Sequence, residues 1–230
     1  MELKLSELFS SIQGEGPSAG APSVFLRLAQ CNLHCVWCDT KYTWDFRTYR
    51  FEDEVRVVDV PSVGRQIAEL SGDRLVVTGG EPLLQQEALA ELLGLLDAEA
   101  RRFVEVETNG TIAPNAALAE RIDQWNVSPK LANAGDPERL RLKPDVLATF
   151  AATNRAFLKL VVESDADADE ADALVRTLGW PRDRTLFMAQ ASTREALEAR
   201  GPLVAAAALK RNVRYSPRLH VERWNGARGT

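Results

Sequence analysis

Cysteine is nearly absent from this chain of 230 residues: there are three, Cys31, Cys35 and Cys38, and no other. An odd count without a secretory start excludes a disulfide-stapled extracellular scaffold and points to a reducing compartment. The amino-terminal MELKLSELFSSIQ lacks both the basic start and the apolar run of a signal peptide. Long apolar stretches are missing too. None approaches the ~20 residues of a membrane span. Basic charge is also short: 28 Lys and Arg stand against 33 Asp and Glu, for a net charge of −5. Without a Lys/Arg stripe, a nucleic-acid binder resting on phosphate contacts is excluded. There is no internal repeat and no low-complexity linker. A chain this long can bury roughly three quarters of its surface. The expectation is a soluble cytoplasmic protein, one domain over 1–230, touching neither nucleic acid nor membrane.

Short β-rich runs alternate with helical stretches. The segments 23–30, 74–80, 102–110, 124–130, 156–164 and 184–192 read as strands, rich in Val, Leu, Phe and Thr and mostly closed by Gly, Asn, Ser or Pro. Between them, a helix starts at Pro61, which suits a first turn. Another runs from Pro82 to Ala100 with a broad leucine face, and a third ends at Gly179, a plausible C-cap. A fourth opens at Ser192 with Glu195 at capping-box spacing. Strand then helix, about six times, predicts an α/β protein with a mainly parallel sheet, either a partial barrel or an open doubly wound sheet. Both gather chemistry at the carboxyl ends of the strands. The charged, aromatic segment 41–60 breaks the rhythm and is expected as an excursion over the site. An irregular tail is expected from about residue 211.

Three clustered cysteines can serve a metal. Structural zinc needs four ligands, so His34 or His220 would have to complete it. An iron–sulfur cube normally takes four thiolates, and three would leave one iron open. The C-x3-C-x2-C spacing, with Trp37 just before the last cysteine and a strand just before the first, resembles the cluster motif of the radical S-adenosylmethionine (SAM) superfamily. That resemblance implies a [4Fe–4S] cluster on Cys31, Cys35 and Cys38. The amino and carboxylate groups of SAM would chelate the open iron, and cleavage of the sulfonium would yield a 5′-deoxyadenosyl radical. It also implies a partial (β/α)6 TIM-like barrel. The run Thr78-Gly79-Gly80-Glu81-Pro82 resembles the superfamily's GGEP element, where carbonyls and a carboxylate receive the SAM ammonium.

Two further stretches are similar to the 7-carboxy-7-deazaguanine synthase family: Phe9 to Gly16 with Arg27, and Cys38-Asp39-Thr40 followed by Tyr42-Thr43-Trp44. The family implies radical ring contraction of 6-carboxy-5,6,7,8-tetrahydropterin with loss of ammonia, in queuosine and 7-deazapurine biosynthesis. By that match Arg27 grips the substrate carboxylate and Ile12, Gln13 and Gly14 read the pterin edge. Glu15 pairs with its guanidine-like end, and Thr78 and His220 face the substrate. Trp37, Asp39, Gly80, Glu81, Thr108, Asn109, Ser128, Lys130 and Gln190 serve SAM, and Thr40 is a Mg2+ ligand. Ala189 stands where the family commonly has Pro. An electron donor such as flavodoxin or ferredoxin and a homodimer are implied as well. The rival readings are a glycyl-radical activating enzyme, which leaves Gln13-Gly14-Glu15-Gly16 and Thr40 unexplained, and a zinc-stapled interaction domain, which leaves the polar strand ends unexplained.

Overall fold

Leucine alternates with polar residues at the start of Glu2–Ile12, and Leu3 and Leu5 are fully buried while Glu2 is exposed. That period of two makes the segment a strand, β1. The computed structural model describes residues 1–99 and 102–230. Within them β1 is followed by β2 (Pro22–Leu28), β3 (Arg56–Asp59), β4 (Arg74–Gly79), β5 (Phe103–Thr108), β6 (Gln124–Val127), β7 (Ala156–Val162), β8 (Thr185–Ala189) and β9 (Arg214–Ser216). One sheet holds all nine in the order β3-β1-β2-β4-β5-β6-β7-β8-β9. The pairs β3–β1 and β1–β2 are antiparallel, and every pair from β2 to β9 is parallel. The six strands expected from sequence are β2 and β4 to β8, the parallel run of a partial TIM-like barrel.

Three strands go beyond that expectation. β1 shows a register shift between Leu5 and Glu7, and this brings Glu7 opposite Arg27 of β2. The segment 41–60 is more than an excursion, because its end forms β3 on the sheet edge. The tail is not irregular: β9 extends the sheet beside β8, and a helix follows it.

The helices are α1 (Phe51–Glu54), α2 (Val60–Ala68), α3 (Gln86–Glu99), α4 (Ala116–Ala119), α5 (Glu138–Arg141), α6 (Pro144–Ala152), α7 (Asp165–Leu178), α8 (Arg194–Lys210) and α9 (Leu219–Trp224). The expected end of α3 at Ala100 lies outside the described residues. Gly179 closes α7 in the left-handed conformation at φ 61°, as its position implied. The cap of α8 differs from expectation. Thr193, not Ser192, is the N-cap, and its hydroxyl accepts from the Ala196 N–H at 3.2 Å.

Alternation along the parallel strands sorts the side chains. Val24, Leu26, Leu75, Val77, Val104, Val106, Leu158 and Leu160 join Leu89, Leu92, Leu147, Phe150 and Val175 of the helices in one core. The intervening Phe25, Arg27, Thr78, Glu107, Lys159 and Val161 line a cavity on the opposite face. Charge in the middle of these apolar strands is therefore confined to the cavity side.

Candidate functional site

The cavity holds about 300 Å³, within the range of small-molecule sites. It lies against the carboxyl ends of the parallel strands, and it brings together every site residue expected from sequence except Glu81.

Its first part is the cysteine loop. β2 ends at Leu28, and Gln30 takes a positive φ of 75° just before Cys31. A non-glycine residue there is uncommon and must be held by its neighbours. Here the Gln30 N–H donates to the Thr43 carbonyl at 2.7 Å, and the Gln30 carbonyl accepts from the Glu81 N–H at 2.8 Å. Gly80 donates to the Leu28 carbonyl at 3.0 Å. A Cβ on Gly80 would collide with the Gln30 carbonyl oxygen, so only glycine lets the two backbones lie this close. The Thr78 to Pro82 turn thus fixes where Cys31 leaves the sheet. Further along, the Val36 N–H donates to the Ala134 carbonyl at 3.0 Å. Cys35 is buried and Cys31 and Cys38 are half-buried, packed with Leu33 and Ala134 in an apolar cluster separate from the main core.

Burial pushes the Cys31 thiol up to about 12 and Cys35 up to about 11. Such thiols are poor free nucleophiles, and a metal must displace their protons to bind them. Among the described residues no three His, Cys, Asp or Glu side chains close around a point suited to one ion. Three thiolates on one loop are the donor set that would hold a [4Fe–4S] cluster with one position left for a further ligand.

Glu81 stands apart from the other expected site residues. It is fully buried and outside the cavity lining. Its carboxylate accepts from the Leu83 N–H at 3.1 Å, the Thr108 hydroxyl at 2.8 Å and the Asn109 N–H at 2.7 Å. It ties the end of β4 to the end of β5 and so aims Thr108 and Asn109, which do line the cavity. The other strand ends are arranged by similar local bonds. Lys130 Nζ donates to the Ser128 hydroxyl at 3.0 Å and lies 5.8 Å from the Trp37 ring centre. Arg200 donates to the Gln190 side-chain oxygen.

The opposite wall is ionic. Glu15 is engaged at both oxygens: Lys159 Nζ binds one, and Arg218 Nε donates to the other at 2.9 Å. Burial alone would raise the Glu15 pKa, but these two cations outweigh it and hold the carboxyl well below the usual range. Arg218 also donates to Asp39 at 2.6 Å and to the Ala191 carbonyl. Its Nη2 lies 3.4 Å from His220 Nε2. Because arginine only donates, that contact makes Nε2 the acceptor and leaves the ring proton on Nδ1. Burial pushes the His220 pKa down, so the ring is neutral near pH 7. His220 packs on Gly14, where any Cβ would collide with its ring. Gln13 Nε2 donates to Glu105 at 2.6 Å, and the Thr78 hydroxyl donates to Glu107 at 2.7 Å.

Arg27 meets Glu7, its cross-strand partner, through Nε at 2.7 Å. Tyr42 donates to the same Glu7 oxygen at 2.8 Å. Arg228 reaches the other oxygen at 3.3 Å, pairs with Glu54 at 2.7 Å and lies 3.8 Å over the Tyr42 ring. The tail Gly226 to Thr230 thereby forms part of the cavity wall. Thr40 begins the turn Lys41–Thr43 but makes no side-chain capping bond, and its hydroxyl lies 3.6 Å from Cys38 Sγ.

Glu107 stood out in the sequence as a polar strand end, but Lys159 and Arg218 of the lining, and Glu7 behind Arg27, were not singled out. Lys159 carried a visible signal, a lysine inside the apolar strand AFLKLVV, the same signal that marks Arg27. Arg218 carried none.

Comparison with known proteins agrees with this geometry. Residues 27–145 match the family model described as the Radical SAM superfamily. A 7-carboxy-7-deazaguanine synthase of Pyrobaculum aerophilum is 38% identical over 228 residues, covering 99% of this chain and 97% of that protein. One from Hyperthermus butylicus is 36% identical, covering 95% of this chain and 92% of the relative. The crystal structure of QueE from Escherichia coli superposes with a TM-score of 0.68 at 26% identity, covering 94% of this chain and 93% of the other.

Proposed function

The chain belongs to the radical SAM family of 7-carboxy-7-deazaguanine synthases, and from that premise we propose how its residues divide the formation of 7-carboxy-7-deazaguanine, a step of 7-deazapurine biosynthesis. The substrate in this reading is 6-carboxy-5,6,7,8-tetrahydropterin, whose ring contracts with loss of ammonia. The observation that carries it is the convergence of Cys31, Cys35, Cys38, Arg27, Glu15 and His220 on one cavity.

Cys31, Cys35 and Cys38 would hold the [4Fe–4S] cluster, which with SAM supplies a 5′-deoxyadenosyl radical. Trp37, Asp39, Gly80, Thr108, Asn109, Ser128, Lys130 and Gln190 form the SAM side of the cavity. Glu81 acts behind them through Thr108 and Asn109.

Arg27 binds the substrate carboxylate. Glu7 takes the Arg27 Nε–H, and the two Nη groups make no hydrogen bond among the described residues, so a bidentate fork remains for an anion. Glu15 stays ionised and receives N–H groups of the pterin at lone pairs that Lys159 and Arg218 do not use. Ile12, Gln13, Gly14 and Thr78 border the same ring. His220, which lines the same cavity beside Gly14, faces the substrate in this reading. Thr40 offers its uncapped hydroxyl to Mg2+, with substrate oxygens and waters completing the shell.

Among the described residues no helix is long and apolar enough to cross a membrane. A cytoplasmic setting, a homodimer and a one-electron donor such as flavodoxin or ferredoxin belong to this proposal. The family match and the near full-length relatives disfavour both the zinc-stapled domain and a glycyl-radical activating enzyme.

The test is anaerobic turnover of the reconstituted protein with the carboxylated pterin, SAM and reductant, followed by mass spectrometry. The expected product is 7-carboxy-7-deazaguanine. Formation of 5′-deoxyadenosine with no deazapurine would overturn the substrate assignment.

A further inference from the structure

Trp44 lies outside the Cys31 to Cys38 motif, yet it reaches back to it. Its Nε1–H donates to Cys38 Sγ at 3.3 Å. The indole also packs on the ring of His34, with centroids 4.9 Å apart and planes at 36°. The backbone on both sides is tied down. The Trp44 N–H donates to the Lys41 carbonyl at 3.0 Å, and the neighbouring Thr43 carbonyl accepts from Gln30 at the exit toward Cys31. The His34 N–H donates to the Asp136 carboxylate at 3.1 Å. The motif's own aromatic does something else: Trp37 Nε1–H donates to Asn133 at 3.3 Å and leaves the sulfurs alone. Among the described residues Trp44 is the one whose side-chain N–H meets a cysteine sulfur.

We propose that Trp44 raises the reduction potential of the iron–sulfur cluster by donating its Nε1–H to the Cys38 thiolate. This rests on the reading that Cys31, Cys35 and Cys38 hold the cluster. The reason is electrostatic. One-electron reduction adds a negative charge that is shared with the coordinating sulfurs. An N–H dipole aimed at such a sulfur stabilises the more negative state, and hydrogen bonds to sulfur are among the determinants of cluster potential. The His34 ring packs on the indole beside this contact.

Trp44→Phe removes the donor and keeps a smaller aromatic ring at the position. Parent and variant are reconstituted anaerobically, assayed for iron and sulfide, and titrated redox-potentiometrically with EPR detection of the reduced cluster, without SAM or substrate. The variant should retain about four irons per chain. At the parent's midpoint potential its ratio of reduced to oxidised cluster should fall at least threefold, a negative shift of about 30 mV for one electron. A loaded variant whose potential is unchanged or more positive would overturn the proposal. If Trp44→Phe does not load, incorporation of 3-benzothienylalanine at position 44 replaces N–H by sulfur in a ring of the same size, and the same criterion decides. A parent that binds only trace iron would remove the cluster reading itself, an outcome distinct from an unshifted potential.

Discussion

Glu15 neutralises two buried cations at once, and removing its charge should be felt in stability as well as in binding. The Lys159 and Arg218 side chains are each 7% exposed and that of Glu15 is 11% exposed. Removing one member of a buried ion pair typically costs about 3–5 kcal/mol, because the partner is left uncompensated. Here the orphans keep second partners: Glu107 lies 3.9 Å from Lys159, and Asp39 lies 2.6 Å from Arg218. The lower end, about 3 kcal/mol, is therefore expected for Glu15→Gln. For a chain of this size that lowers Tm by about 6–12 °C. Lys159→Met should cost a similar amount, since Glu15 keeps Arg218. The double variant should lose less than the sum by about 1–3 kcal/mol. Urea unfolding of the metal-free protein under argon, with equal m-values required across the set, measures all four corners. The pH dependence adds a check. A carboxyl held low in the folded state contributes fully above its unfolded value of about 4.3 and loses that contribution as pH falls below it. The gap between parent and Glu15→Gln should thus be flat from neutral pH down to about pH 5 and narrow below about pH 4.3. Additive single effects, or a Glu15→Gln cost under about 1 kcal/mol, would refute the paired-charge account.

Three further outcomes are expected. Arg27→Met should raise KM for the pterin by roughly 30-fold or more, from about 2–5 kcal/mol of lost charge-assisted contact, while 5′-deoxyadenosine formation without substrate persists; unchanged deazapurine formation would place the carboxylate elsewhere. Thr40→Val should leave iron content intact and blunt the response of turnover to Mg2+, and a titration identical to the parent's would exclude Thr40 as a ligand. Gly80→Ala should push the Gln30 carbonyl and displace Cys31, so iron retained after gel filtration should fall well below the parent's. Full retention would show that the turn tolerates a Cβ.

The parallel strands were legible because strands buried on both faces read as short apolar runs. β1 was not, because past Leu5 it mixes polar and apolar residues through a register shift, and a strict alternation is lost. β3 and β9, with four and three residues, are too short to show a period. In the site, residues at strand ends could be named from the sequence, since the fold class itself says where chemistry collects. Their partners could not. Glu15 meets Lys159 and Arg218 across 144 and 203 positions, and no local pattern encodes that. Glu81 is the converse case. Its place in the turn was readable, but whether a carboxylate faces a cavity or is consumed by three neighbouring donors depends on packing.

The lacing of the cysteine loop has a bearing on how the protein matures. Leu28, Gln30 and Thr43 hold the exit to Cys31 through backbone bonds to Gly80, Glu81 and one another, and Ala134 anchors Val36 beside Cys35. All of these bonds are between protein groups. None of them uses a cysteine sulfur, so the expectation is a ligand-bearing loop that keeps its course without iron, unlike small zinc domains in which metal binding and folding are one event. Cluster delivery would then be a late loading step on a finished scaffold. Iron-starved cells should then accumulate a folded, protease-resistant apoprotein ready for repair, and not a pool of unfolded chains.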